Sequence, residues 1–213
     1  MMSATRKVCR GLRAPRHAGL LLTLTLLSSC VLPQRYDFYY PTALGGSQAR
    51  AGEPRTLSVI LFQLGEIIVG MNTVYLPAAG PIIANRLSAS ISIEIPEGNV
   101  VKLARDYVDV SEPSGDPWRA PLSGRIWTGA GRTSAFSVDA PMIGKSNAAR
   151  WGTARGWSDT KHAAYFFEAT LYEGPEKRVL TVRLPELYVN DSEVELAPIT
   201  LTLSSERLMT VFP

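Results

Sequence analysis

A serine, an aspartate and a histidine stand close together in the sequence, at Ser158, Asp159 and His162. These residue types make up the catalytic triad of serine hydrolases, in which the histidine accepts the proton of the attacking serine. A triad is brought together by the fold, so closeness in the sequence does not indicate one. The chain also lacks the Gly-x-Ser-x-Gly motif of a nucleophile elbow. The three residues therefore do not predict a hydrolase.

Motifs for cofactors and metals are equally weak. Gly144-Lys145-Ser146 matches the end of a phosphate-binding loop, but Asp139 stands where the first glycine belongs. Gly129-Ala130-Gly131 lacks the third glycine of a dinucleotide-binding turn. The carboxylates available for calcium are Asp106, Asp109, Glu112 and Asp116. Those available as a pair for glycoside hydrolysis are Asp106, Asp109, Glu112, Glu168 and Glu173, and no spacing selects among either set. No catalytic residue, metal ligand or cofactor is predicted.

Residues 115–161 are rich in tryptophan, arginine and glycine. They contain all four tryptophans of the chain, and seven basic residues against three acidic ones. Tryptophan rings stack on sugars, arginines bind carboxylates or phosphates, and binding residues often lie on loops. The residues predicted to bind a glycan, an anionic lipid head group or a partner protein are Trp118, Trp127, Arg150, Trp151, Arg155 and Trp157. The alternative is that the tryptophans fill the ends of the fold while the arginines keep it soluble.

The first 30 residues have the three-part layout of a secretory signal. Five basic residues and no acidic one precede a nearly uninterrupted apolar run over residues 19–27. A bilayer-spanning helix needs about 20 apolar residues, so this run fits a signal peptide better. The run ends in Leu27-Ser28-Ser29-Cys30, which resembles the lipobox of bacterial lipoproteins. An ordinary secretory signal with a chance cysteine is the alternative.

The lipoprotein resemblance implies a membrane anchor at Cys30. In that family the thiol receives a diacylglycerol, the chain is cut just before the cysteine, and the new amino group is usually acylated, for example with palmitate. Two or three acyl chains hold a protein stably on a membrane. Val31 follows the cysteine, whereas an aspartate there typically retains such proteins in the inner membrane. The resemblance therefore implies an outer-membrane location, facing the periplasm or the cell surface.

Removal of the signal changes the composition of the chain. Five of the 22 basic residues are lost, which leaves 17 against 19 acidic residues and a net charge of −2. A nucleic-acid partner is therefore not supported. Cys9 is discarded with the signal and Cys30 carries lipid, so no thiol remains for a disulfide or a metal.

Three parts of the chain are predicted: a signal peptide (1–29), a lipidated tether (30–54) and a β-sandwich domain (55–213). The tether contains three prolines and Gly45-Gly46-Ser47, and it has no clear period. Aromatic residues within 36–40 have two possible places. They could sit in the membrane interface, or they could pack on the domain as its first strand.

The domain is predicted to be all-β. Over residues 88–95, apolar residues alternate with serine and glutamate, as is typical of a strand with one face in water. A turn at 96–99 makes residues 100–110 the expected antiparallel partner. Further strand-like stretches are 57–64, 67–75, 163–172, 179–189 and 199–204, with a turn at Asn190-Asp191. About eight strands favour an antiparallel β-sandwich, of which the immunoglobulin-like fold is one form.

These observations together predict an outer-membrane lipoprotein with no enzymatic turnover, anchored through the lipid on Cys30. Its β-sandwich is expected to bind another envelope protein or component, or to support an assembly. The alternative is a glycan-binding or glycan-active lipoprotein that uses the tryptophan- and arginine-rich loops.

Overall fold

The computed structural model describes residues 31–50, 58–78, 84–129, 132–145, 151–153, 156–158 and 163–211, and these residues form eighteen strands and no helix. In chain order the strands are β1 (Val31–Thr42), β2 (Ser47–Arg50), β3 (Ser58–Leu64), β4 (Ile67–Leu76), β5 (Asn85–Ile95), β6 (Val100–Leu103), β7 (Tyr107–Ser111), β8 (Trp118–Pro121), β9 (Ser123–Gly129), β10 (Arg132–Phe136), β11 (Met142–Ile143), β12 (Trp151–Thr153), β13 (Gly156–Ser158), β14 (Ala163–Gly174), β15 (Val179–Arg183), β16 (Leu187–Val189), β17 (Ser192–Val194) and β18 (Ile199–Val211). By backbone contacts, the described residues divide into a unit within 36–206 and a smaller unit of residues 31–35 with 207–211.

The strands form two large sheets and two small ones. The large sheets have the orders β1-β18-β15-β7-β8 and β10-β9-β14-β5-β4-β3-β2, and the small ones are β11-β6-β16-β17 and the hairpin β12-β13. Pairing is antiparallel, as between β5 and β14 and between β15 and β18. This is the predicted all-β sandwich. It has more strands than the eight expected, because several strands of two to four residues are too short to show an alternating pattern.

The core contains the apolar faces of both large sheets. Met71, Ile91 and Phe167 of the seven-stranded sheet belong to the same hydrophobic cluster as Val110 and Leu201 of the five-stranded sheet. All five side chains are at most 4% exposed. Burying a side chain of this size contributes about 1.5–3 kcal/mol, so this cluster is the main source of stability in the described part.

The strand predicted at 88–95 is confirmed as β5, with one difference. Its odd-numbered apolar residues from Leu87 to Ile95 are buried, and Ser88 and Ser90 on the other face are half-exposed. Ser92 and Glu94 on that second face are nevertheless buried, at 6% and 2% exposure. The prediction of a face entirely in water is therefore wrong for the second half of the strand.

The predicted partner of β5 is also wrong. The turn at 96–99 forms as expected, with Gly98 at a φ of 86° and a hydrogen bond from Asn99 N to Pro96 O of 3.2 Å. Residues 100–110 do not form one strand. They contain β6, which belongs to the four-stranded sheet, and the first residues of β7, which belongs to the five-stranded sheet. Since β5 is already flanked by β4 and β14, neither of its edges is open to the strand that follows it.

The turn predicted at Asn190-Asp191 is confirmed. Asn190 and Asp191 form the turn between β16 and β17, with φ angles of 49° and 65°. Positive φ at both central positions is characteristic of the type I′ hairpin turn, which asparagine and aspartate tolerate. Residues 199–202 of β18 then pair with β15. Pro185 and Pro198 lie between strands, where their missing N–H removes no hydrogen bond from a sheet.

Residues 36–40 lie within β1, and two of their aromatic side chains pack on the domain, which is the second of the two places considered from the sequence, while Tyr40 is exposed. Phe38 and Tyr39 are buried in the domain. The centroid of the Tyr39 ring lies 5.4 Å from that of Tyr75, in an edge-on arrangement. The Tyr39 hydroxyl lies 2.9 Å from the Tyr172 hydroxyl and donates a hydrogen bond to the carbonyl of Lys177. Burial raises the pKa of Tyr39 and raises that of Tyr75 to about 12. The stretch predicted as a tether thus supplies core residues.

Candidate functional site

Trp118 is fixed between the two large sheets. It is half-buried in β8, and its Nε1 donates a hydrogen bond of 2.7 Å to the carbonyl of Leu171 in β14. Lys177 lies over the indole, with Nζ 5.3 Å from the ring centroid, and pairs with Glu112 at 2.7 Å. The indole N–H, the polar group a ligand would use, is therefore already bonded within the fold.

The other predicted binding residues are only partly described. Trp127 lies in β9 opposite Thr133 of β10. Trp151 and Trp157 lie in the two strands of the β12-β13 hairpin. Trp157 is paired with Gly152, the residue next to Trp151. Outside the described residues lie Arg150, Arg155 and Cys30, together with Asp159 and His162 of the rejected triad.

Asp109, one of the carboxylates considered for calcium, belongs to an ionic network. It accepts from Arg105 at 2.6 Å, and Glu186 accepts from the same guanidinium at 3.0 Å. The guanidinium of Arg119 lies 4.5 Å from the centroid of the Tyr107 ring. Within the described ranges, no three histidine, cysteine, aspartate or glutamate side chains are grouped as metal ligands.

Gly144, from the partial phosphate-loop match, has a packing role. Its N–H donates to the carbonyl of Asn99 at 2.8 Å, and a Cβ at this position would lie 1.8 Å from the carbonyl oxygen of Pro96. Only glycine allows the two backbone segments to approach this closely. The motif is therefore explained by contact between backbones.

An open groove is created where one strand passes from one large sheet to the other. β8 pairs with β7, and after the buried Leu122 the chain continues as β9 and pairs with β14. The pairing of β9 with β14 ends at Ser123 and Glu168, so within the described part of the chain the following residues of β14 have no hydrogen-bonded strand on that side. The groove formed there has a volume of about 430 Å³.

The side chains of three paired strands shape this groove. Ser88 of β5 stands between Val74 of β4 and Thr170 of β14, and Ser90 stands next to it between Asn72 and Glu168. Paired residues of antiparallel strands point to the same face, so the short serines form a trough between longer neighbours. The groove floor is therefore β5, an interior strand.

Two ion pairs flank the trough. Arg86 pairs with Glu173 at 3.3 Å and donates to the hydroxyl of Thr170 at 3.0 Å, while Glu168 pairs with Arg125 at 3.4 Å. The four charged side chains are 50–59% exposed. Their charges cancel, so the groove presents polar groups and no net charge.

The sequence contained one signal for this site. Serines at 88, 90 and 92 give β5 unusually small polar side chains on one face. The signal did not indicate which distant residues stand beside them, because Glu168 and Thr170 lie about 80 positions away and are placed there by sheet register.

Protein-family models, curated proteins and solved structures were compared with the chain. None matches it. No helix long and apolar enough to cross a membrane occurs in the part of the chain that the structure describes.

Proposed function

We propose that this chain is a lipid-anchored protein of the bacterial outer membrane, whose β-sandwich binds another envelope component or supports an assembly there. The observation that carries the proposal is the N-terminal pattern: a basic start, a short apolar run and Leu27-Ser28-Ser29-Cys30. Such a pattern directs a chain through the inner membrane and supplies the thiol that receives lipid. A lipid-held domain stays at the membrane surface, where neighbouring envelope components are concentrated.

Metabolic labelling with an alkyne-bearing palmitate in a Gram-negative host tests the anchor. The wild-type chain should incorporate the label and fractionate with the outer membrane. Cys30→Ser should lose the label and no longer fractionate with the outer membrane. Cys9→Ser is the matched control, because that cysteine lies in the discarded signal. Label that persists in Cys30→Ser would contradict the proposal.

The same assay tests the choice of membrane. Val31 occupies the position at which an aspartate retains lipoproteins in the inner membrane. Val31→Asp should therefore move the labelled chain from the outer-membrane to the inner-membrane fraction. An unchanged distribution would argue against this sorting route for the chain.

A second candidate function is glycan binding, with or without hydrolysis of the glycan. The specific observation in its favour is the groove on the seven-stranded sheet, in which hydroxyl, carboxylate and guanidinium groups stand beside a larger apolar surface and which has a volume of about 430 Å³. Ligand sites typically have volumes of about 300–1,000 Å³, so the groove is large enough for a small ligand. Binding of purified oligosaccharides tests this function.

A further inference from the structure

We infer that the groove along β5 is a binding site for a short, uncharged oligosaccharide. The inference rests on the second candidate function and gives it a site. That site differs from the tryptophans and arginines predicted from the sequence, since none of the residues described along the groove is a tryptophan.

The groove floor offers hydroxyl groups for recognition. Among the described residues, none forms a hydrogen bond with the hydroxyl of Ser88 or Ser90, and both side chains are half-exposed. A serine hydroxyl both donates and accepts, as does each hydroxyl of a sugar. These groups therefore match a polyhydroxylated ligand.

The charges along the groove favour a ligand without net charge. Arg86 is paired with Glu173, and Arg125 with Glu168, so an anionic ligand meets as many carboxylates as guanidiniums. The remaining hydrogen-bonding capacity of Glu168 and Arg86 still provides a strong acceptor and a strong donor for sugar hydroxyls. Val74, which is 46% exposed, adds an apolar surface for the C–H face of a sugar ring.

The shape of the groove fits a short chain. Arg86 and Ser90 are four residues apart on one strand, which corresponds to about 14 Å at roughly 3.4 Å per residue. An extended peptide fits less well, because peptides that join a sheet bind through backbone groups of an edge strand. The floor strand β5 already pairs with β4 and β14, so recognition must use side chains.

Calorimetric titration of the full mature lipoprotein tests the inference. The protein is held in a zwitterionic detergent without a sugar head group, and the probes are maltotriose, cellotriose and N-acetylchitotriose, with a hyaluronan tetrasaccharide as the anionic comparison. At least one neutral probe should bind saturably. Ser88→Val and Ser90→Val fill the trough with a side chain that suits a strand, and each should weaken binding about tenfold or more.

Two further variants separate a local effect from a general one. Thr202→Val, on the exposed face of β18, makes the same kind of change outside the groove and should leave affinity unchanged. Glu168→Gln keeps the side-chain size while removing one acceptor charge, and it should also weaken binding. Circular dichroism checks that each variant is folded.

The possible contrary results have different meanings. If neither the neutral probes nor the anionic probe binds, both the inference and the second candidate function are overturned. If a neutral probe binds with equal affinity to the wild type, Ser88→Val and Ser90→Val, the protein binds glycans at a place other than the groove. The inference is then overturned, and the second candidate function stands. Binding of the anionic probe alone would overturn the inference, since it contradicts the charge argument.

Discussion

Replacing Gly144 with alanine should destabilise the domain strongly. The new Cβ would lie 1.8 Å from the Pro96 carbonyl oxygen and 3.0 Å from Cγ2 of Ile95. The oxygen belongs to the backbone and cannot rotate away, so the two segments must separate and lose the 2.8 Å hydrogen bond from Gly144 N to Asn99 O. The lost bond costs about 0.5–1.5 kcal/mol and the overpacking about 1–3 kcal/mol. We expect a loss of about 2–4 kcal/mol in unfolding free energy.

Urea unfolding of the unlipidated Cys30→Ser chain, followed by circular dichroism, measures this loss. With a slope of about 2 kcal/mol per M, the midpoint should fall by about 1–2 M. Gly115→Ala is the matched control, because its Cβ would lie 3.5 Å from Cβ of Glu112, an ordinary contact. The control should change stability by less than about 0.5 kcal/mol. Equal midpoints for the two variants would refute the packing explanation of Gly144.

Two other perturbations test the described core. Burial, and next the neighbouring Tyr172, raise the pKa of Tyr75 from 10.0 to about 12, so the unfolded chain releases this proton first. Stability should therefore fall as the pH rises from 10.0 to about 12. In urea titrations Tyr75→Phe should flatten that fall, and an unchanged slope would contradict the assignment. Trp118→Phe removes the indole donor to Leu171 O and should cost about 1–3 kcal/mol. A cost below about 0.5 kcal/mol would show that the bond contributes little.

The sequence predicted what depends on local pattern. Alternation identified β5, and two residues that tolerate positive φ identified the turn at Asn190 and Asp191. It did not predict which strands become neighbours, because pairing such as that of Ser90 with Glu168 depends on contacts between distant parts of the chain. The expected pairing of β5 with residues 100–110 failed for this reason.

The candidate site was less predictable than the fold. Tryptophan and arginine are the residue types most enriched at binding hot spots, and they drew attention to residues 115–161. The described Trp118 uses its polar group inside the fold. The groove instead combines serines, one threonine and two charged residues with small apolar side chains, all of which are common on any strand surface. Only their register gives them a shared shape.

The place of β18 in the five-stranded sheet has a consequence for how the chain reaches its native state. β18 is synthesised after the other strands that the structure describes, yet it lies between β1 and β15 in the interior of that sheet. The sheet cannot close until residues 199–211 have emerged, and such long-range pairing makes folding slow. A chain that stops before Ile199 leaves β1 and β15 with open edges, and exposed edges invite aggregation. Incomplete chains should therefore be removed by proteolysis before they accumulate.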